Sequence, residues 1–240
     1  MIFLFTDFGW SGPYVGQMKS VLAGKAPGVT VIDLMHDAPA FQPKPSAYLL
    51  AALLDHLPQD AIVCAVVDPG VGSERPGVLA HVDGRLLVGP GNGLFEIALR
   101  RAQLARYERL SREPAHLSAS FHGRDFFAPT AARLARGEQV PTAPLDPDTR
   151  PGQNWPHELA EIVYVDGYGN AMTGLSAAAL KGAPLLAAGR RLRCLRTFSE
   201  AAPGEAFWYP NSIGLAEIAV NQGSAIVELD LDIGSQIRTA

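Results

Sequence analysis

The run Ile62, Val63, Cys64, Ala65, Val66, Val67, Asp68, Pro69, Gly70, Val71, Gly72, Ser73, Glu74, Arg75 takes an apolar, β-branched segment directly into a carboxylate, a Pro/Gly turn and a guanidinium. A buried parallel strand ends in a crevice in this way, and ligands of open α/β sheets bind at that end of the strands. Asp68 then stands at the carboxyl edge of its strand, and Gly70 and Gly72 let Arg75 fold back towards it. Asp7 closes a second apolar run, Ile2 to Thr6, so the two carboxylates can face one crevice. His122, in Phe121-His122-Gly123-Arg124-Asp125, belongs to a loop at a helix start. An acceptor, a cationic donor and an imidazole are the parts needed to bind and orient a water molecule. Each has a plainer reading on its own: Asp68 with Arg75 as a solvated surface pair, Asp7 as a cap, His122 with Asp125 as a cap and turn.

These residues need a frame. Strands are expected over residues 2–6, 29–34 and 61–67, with helices over 14–24 and 46–56; Pro13 suits the first helical position, with Gly12 or Ser11 as cap. Strand-then-helix units in succession predict a doubly wound, mainly parallel sheet. Residues 78–82 and 85–88 flank Asp83-Gly84, a hairpin turn of the kind that needs positive φ. Gly89-Pro90-Gly91-Asn92-Gly93 makes a glycine-dense turn before a helical stretch over 94–101, and a further helix is expected over 126–136.

From residue 141 to 156 five prolines interrupt the chain with almost no apolar period, the signature of a linker. The expected division is an α/β domain over 1–140, a proline-rich linker over 141–156 and a small all-β, barrel-like domain over 157–240. The last would be built from strands at 161–165, 191–195, 206–209, 215–220 and 225–229, with one short helix at 177–181. In it, Asp166-Gly167-Tyr168-Gly169-Asn170 reads first as a tight hairpin turn around an aromatic. Trp208-Tyr209-Pro210-Asn211-Ser212-Ile213-Gly214 offers stacking surfaces and amide donors, and together the two loops could hold a purine.

With 240 residues, 48% of them hydrophobic and 18% charged, the chain can bury a substantial core. A formal charge of −4 with scattered Lys and Arg leaves no basic footprint for nucleic acid. Two cysteines are too few for a disulfide framework or a thiolate metal site, and Asp7 interrupts the first apolar run before a signal core or membrane span could form. A cytoplasmic protein bound to neither membrane nor nucleic acid is expected. No Gly-Lys-Ser/Thr follows a glycine cluster, the Gly89 to Gly93 spacing is wrong for a dinucleotide fingerprint, and no HExxH or Gly-x-Ser-x-Gly occurs. No metal and no cofactor is expected.

Taken together, Thr6-Asp7-Phe8-Gly9, Asp68 to Ser73 with Arg75, Gly89 to Phe95, Phe121 to Asp125, Asp166 to Asn170 and Asn211 to Asn221 resemble the S-adenosylmethionine hydroxide adenosyltransferase family, relatives of the fluorinating and chlorinating enzymes that use the same substrate. The resemblance runs in the family's order over nearly the whole chain. It implies hydrolysis of S-adenosyl-L-methionine to adenosine and L-methionine by water attacking the ribose C5′, and a homotrimer with active sites between neighbouring subunits. It implies Asp68, Arg75 and His122 as the hydrolytic triad and Asp7 as the carboxylate on the ribose hydroxyls. Asp166, Tyr168, Asn170, Asn211 and Ser212 are then parts of the nucleoside and methionine pocket. The halogenating relatives replace the triad's Asp, so its presence favours water. A halide-using 5′-halogenase of the same fold and a non-catalytic adenosyl-ligand binding protein are the alternatives. Three positions depart from the usual pattern: Tyr168 for Phe, Ser73 for Thr, and Gly174 for Asn, the last removing an amide near the expected pocket.

Overall fold

A computed structural model describes residues 1–111 and 117–239. The chain divides into two compact units, residues 1–51 with 57–154, and residues 52–56 with 155–240. Among the described residues no helix is long and apolar enough to cross a membrane.

The first unit contains, in chain order, β1 (Ile2–Thr6), α1 (Tyr14–Lys25), β2 (Val31–Met35), α2 (Pro43–Leu54, whose last turn falls with the second unit), β3 (Ile62–Val66), β4 (Gly77–Val82), β5 (Arg85–Pro90), α3 (Glu96–Arg101), β6 (Ala105–Leu110), a π-helical turn at Gly123–Phe127, α4 (Ala128–Ala135) and β7 (Thr142–Pro144). The sheet order is β2-β1-β3-β5-β4-β6-β7. The four strands β2, β1, β3 and β5 are parallel; β4, β6 and β7 continue the sheet antiparallel. The expected parallel core is therefore present, but the hairpin turns the sheet into a mixed one. Its second strand, β5, is the one inserted beside β3.

In-and-out alternation makes β1 and β3 apolar on both faces. Ile2, Leu4, Ile62 and Cys64 pack with Met18 and Leu22 of α1 and Ala128, Ala131 and Ala132 of α4, while Phe3, Phe5, Val63 and Ala65 on the opposite face are equally buried. Asp83 (φ 48°) and Gly84 (φ 90°) supply the two positive φ values the β4–β5 turn requires. Pro13 is the cap of α1 rather than its first residue, its carbonyl accepting the Gln17 amide. The proline-rich stretch is not featureless: Thr142–Pro144 pairs with β6.

The second unit contains β8 (Leu159–Val165), β9 (Ala171–Ser176), α5 (Ala177–Leu180), β10 (Leu185–Ala187), β11 (Arg190–Leu192), β12 (Ala206–Pro210), β13 (Leu215–Val220), α6 (Ala225–Glu228) and β14 (Ile237–Thr239). Sheets β12-β13-β9-β8 and β11-β10-β14 share one core around Trp208, Ile218, Ile162, Leu185 and Leu192. Isolated bridges Glu161–Gln236 and Cys194–Trp208 join the sheets at both margins, so the seven strands follow one another around an almost closed barrel. Residues 225–229, expected as a strand, form α6 and its C-terminal cap Leu229 instead. Ala225 and Leu229, four apart, are buried while Val227 is exposed, so the segment follows the helical period and not the strand period that its β-branched residues suggested. The expected strand 191–195 is split into β11 and the Cys194 bridge.

Candidate functional site

β3 delivers Asp68 two residues past its end, as the sequence predicts. The return of Arg75 depends on Gly72, which holds φ +81° and lies so close to the Ala119 carbonyl that an added Cβ would stand 2.5 Å from its oxygen. Arg75 Nε donates to Asp68 Oδ1 at 2.7 Å, and its NH2 donates to Asp68 Oδ2, a bidentate fork. The same NH2 lies 3.2 Å from His122 Nδ1. A guanidinium has no acceptor, so Nδ1 accepts and the imidazole proton resides on Nε2. The Phe127 ring lies under the guanidinium, 5.4 Å from Cζ. With the Arg75 and Asp68 side chains only 10% and 4% exposed, this is a buried pair, and removing one partner strands the other. The solvated surface pair that a lone Asp-Pro-Gly suggests is thus not what forms.

His122 precedes the π-helical turn Gly123–Phe127 and is itself buried. It does not pair with Asp125 as a simple cap would. Asp125 instead takes Arg124 (Nε to Oδ1, 2.6 Å) and the Ser118 amide (2.9 Å), and Arg124 chiefly holds its carboxyl below the usual carboxylate range. The wide π turn lets Phe126 and Phe127 stack on one another while His122 reaches Arg75.

Asp7 accepts the Phe41 amide at 2.9 Å, and Phe41 is held at φ 61° to present it. Burial pushes the Asp7 carboxyl up, the Phe41 amide opposes that, and the negative charge of Asp68 adds to the rise. Beneath it is a network the sequence reading missed. Thr6 Oγ1 meets His36 Nδ1 at 2.8 Å, His36 Nε2 meets Asp33 Oδ1 at 3.0 Å, and Lys19 Nζ donates to Asp33 Oδ2 at 2.9 Å. Burial acts upward on Asp33, but the His36 and Lys19 hydrogen bonds outweigh it and hold its carboxyl low. The signal was available: a histidine directly after an apolar strand that carries its own Asp, three residues apart.

In the second unit Asp166, Tyr168 and Asn170 line a cavity of about 510 Å³ together with Phe198, Tyr209, Val220, Gln222 and Gly223. Asp166 Oδ1 accepts the Tyr168 and Asn170 amides and Oδ2 accepts Asn170 Nδ2, each at 2.9 Å. Gly169 (φ +81°) lies so close to Ser224 that no side chain fits there. Asn211 is tied to its own turn: Oδ1 accepts the Ile213 and Leu215 amides, and Nδ2 donates to Glu217 Oε2 at 2.9 Å. Ser212 is exposed in the same turn. Trp208, expected as a stacking surface, is fully buried with Nε1 donating to the Ala183 carbonyl; its neighbour Tyr209 faces the cavity and Phe198 packs edge-on against it. Tyr209 OH donates to Glu217 Oε1 at 2.7 Å, and burial chiefly drives both of these acids upward. A carboxylate within the otherwise apolar Leu215–Val220 was the sequence sign of Glu217, whereas Phe198 lies in an aperiodic turn with no such sign. Gly174 is a contact position: an added Cβ would stand 2.6 Å from Leu159 Cβ, so β8 occupies the space a larger side chain would need. Among the described residues no His, Cys, Asp and Glu group has the makings of a metal site.

Residues 2–143 match the model of the SAM hydroxide adenosyltransferase N-terminal domain, and residues 160–238 that of the C-terminal domain. The chain belongs to this family. Similar members include an (R)-S-adenosyl-L-methionine hydrolase of Thermus thermophilus, 41% identical over 99% of this chain and 98% of its own length. Another of that name from Salinispora arenicola is 37% identical over 97% and 95%. The family fold also appears in an uncharacterized conserved protein of Thermotoga maritima, with TM-score 0.85, 25% identity and full coverage of both chains. A conserved hypothetical protein of Thermus thermophilus has TM-score 0.78 and 37% identity over 100% of this chain and 99% of its own.

Proposed function

We propose that this family member hydrolyses S-adenosyl-L-methionine to adenosine and L-methionine, with Asp68, Arg75 and His122 acting on the nucleophilic water. Asp7 holds the ribose, and Asp166, Tyr168, Asn170, Asn211 and Ser212 belong to the substrate-binding surface. The observation that carries the reading is the single guanidinium that engages both Asp68 oxygens and His122 Nδ1.

The sulfonium makes departing methionine a neutral thioether, so the leaving group needs no acid. The difficulty lies with water, whose pKa of about 15.7 makes it a poor nucleophile unless it is fixed in line and its proton has somewhere to go. Asp68 accepts that proton as the water oxygen bonds to C5′ and the C5′–S electron pair passes to sulfur. Arg75 fixes the carboxylate's direction. His122, with its proton on Nε2, offers a donor to the same oxygen. Asp7 accepts the ribose hydroxyls and so sets the position of C5′.

The same reading extends to a homotrimer with active sites between neighbouring subunits. Trp10, Tyr14 and Phe41, all exposed around the Asp7 loop, support a partner surface there. The test is purified protein given S-adenosyl-L-methionine with chloride or fluoride present, sized by light scattering and assayed by chromatography. Equal amounts of adenosine and methionine from a trimer are expected. A 5′-halo-adenosine, or ligand binding without product, overturns the hydrolase reading.

A further inference from the structure

The glycine-dense segment Gly89 to Gly93, the end of β5 and the turn after it, binds no phosphate in the mechanism above, yet its bonds converge on the ends of the segment that carries Asp68 and Arg75. β3 ends at Val66, so the carbonyl of Val67, directly before Asp68, lies beyond the ladder and needs a donor from elsewhere. Asn92 Nδ2 supplies one at 2.8 Å, and Asn92 Oδ1 is itself held by the Leu94 amide at 3.3 Å. At the other end, the Gly91 amide donates to the Pro76 carbonyl at 2.8 Å, and Arg75 NH1 donates to that same oxygen at 3.3 Å.

The glycines make this approach possible. A Cβ on Gly89 would stand 2.1 Å from the Ala65 oxygen, and one on Gly91 would stand 3.0 Å from the Pro76 oxygen and 2.9 Å from Val78 Cγ1. The end of β5 and the turn after it therefore press closely against both flanks of the Asp68–Arg75 loop.

We propose that Asn92 is a positioning residue for the hydrolytic reaction, and that it aims the Asp68 carboxylate by holding the Val67 carbonyl while Gly91 holds the Arg75 end. This rests on the function proposed above. A loop closed only by the Asp68–Arg75 fork could rock as a unit; the clamp at its two flanks fixes the fork relative to the sheet.

Asn92→Asp separates the two halves of the clamp. It keeps the volume and the acceptor for Leu94 but cannot donate to Val67. With the full chain and S-adenosyl-L-methionine, Asn92→Asp is expected to lower kcat by roughly 10- to 100-fold, the cost of a nucleophile slightly out of line, while KM stays within about twofold. In an Asp68→Asn background the same change is expected to add little, because the group it aims is gone. A purely structural role would lower thermal stability without that non-additivity. Asn92→Ala, which brings no charge, replaces Asn92→Asp if the latter does not fold. Wild-type kcat in either variant, or losses that multiply in the double variant, overturns the assignment of Asn92. Absence of adenosine from the unaltered chain would instead overturn the hydrolase reading.

Discussion

Asp68 and Asp166 each open a glycine turn at the end of a strand, yet they are used in opposite ways. Asp166 is satisfied by its own loop, taking the amides of Tyr168 and Asn170 and the Asn170 side chain. Asp68 takes a guanidinium seven residues away that also reaches His122, 47 residues beyond Arg75. A carboxylate bonded by its neighbours shapes a turn; one bonded across the fold is held by tertiary structure and can be aimed. The first unit thus has the geometry for proton transfer and the second the geometry for a cavity wall.

The contrast makes unequal demands on substitution. Asp68→Asn should have the largest effect, lowering kcat about 10³-fold as expected for loss of a positioned base, with adenosine still binding in calorimetry. Turnover near wild type would remove Asp68 from the chemistry. Asp166→Ala should be milder and of a different kind. Losing its three hydrogen bonds should destabilise the protein by about 1–2 kcal/mol in a thermal melt and raise KM by about tenfold with kcat nearly unchanged. If it lowered kcat as Asp68→Asn does, the division of labour between the turns would fail.

The smallest effect concerns Asp7. Because burial holds its carboxyl above the usual range, the free protein keeps that proton at a pH where an ordinary aspartate has lost it. Ribose hydroxyls require the ionised form as acceptor, so adenosine affinity should be greatest above the raised value and weaken as pH falls through it. The sign for folding is opposite: this group favours the folded state at low pH, and its contribution is lost as pH rises from the unfolded value through the folded one. Calorimetric titrations across pH with wild type and Asp7→Asn check the binding half, since the variant should lose the dependence.

Much of this was legible from residue order. Apolar runs ending in Asp7 and Asp68, the Asp83-Gly84 turn and the fold-back of Arg75 all follow from local chemistry that tertiary contacts reinforce. What was hidden has an identifiable cause in each case. β6 is an edge-side strand reading Ala-Arg-Tyr-Glu-Arg-Leu, too polar for an apolar-run signal. Residues 225–229 look like a strand because of Ile226 and Val227, and burial of Ala225 and Leu229 on one side decides for helix. Trp208 and Tyr209 are adjacent in a strand, so only one can face the cavity, and nothing local says which. Asn92 could not be placed from its motif because its partner, Val67, lies 25 residues upstream, just past the end of β3.

The two bridged margins of the second unit have a further effect. Strand borders expose rows of amides and carbonyls on which foreign chains can dock and extend a sheet. By turning its seven strands back on themselves, this unit conceals those rows. The first sheet instead finishes at one side in the three-residue β7, which Pro144 terminates with no amide hydrogen to offer. At these borders foreign chains therefore find little backbone on which to seed fibrous stacking, which leaves the partly exposed β2, the opposite border of the first sheet, as the place where such growth could start.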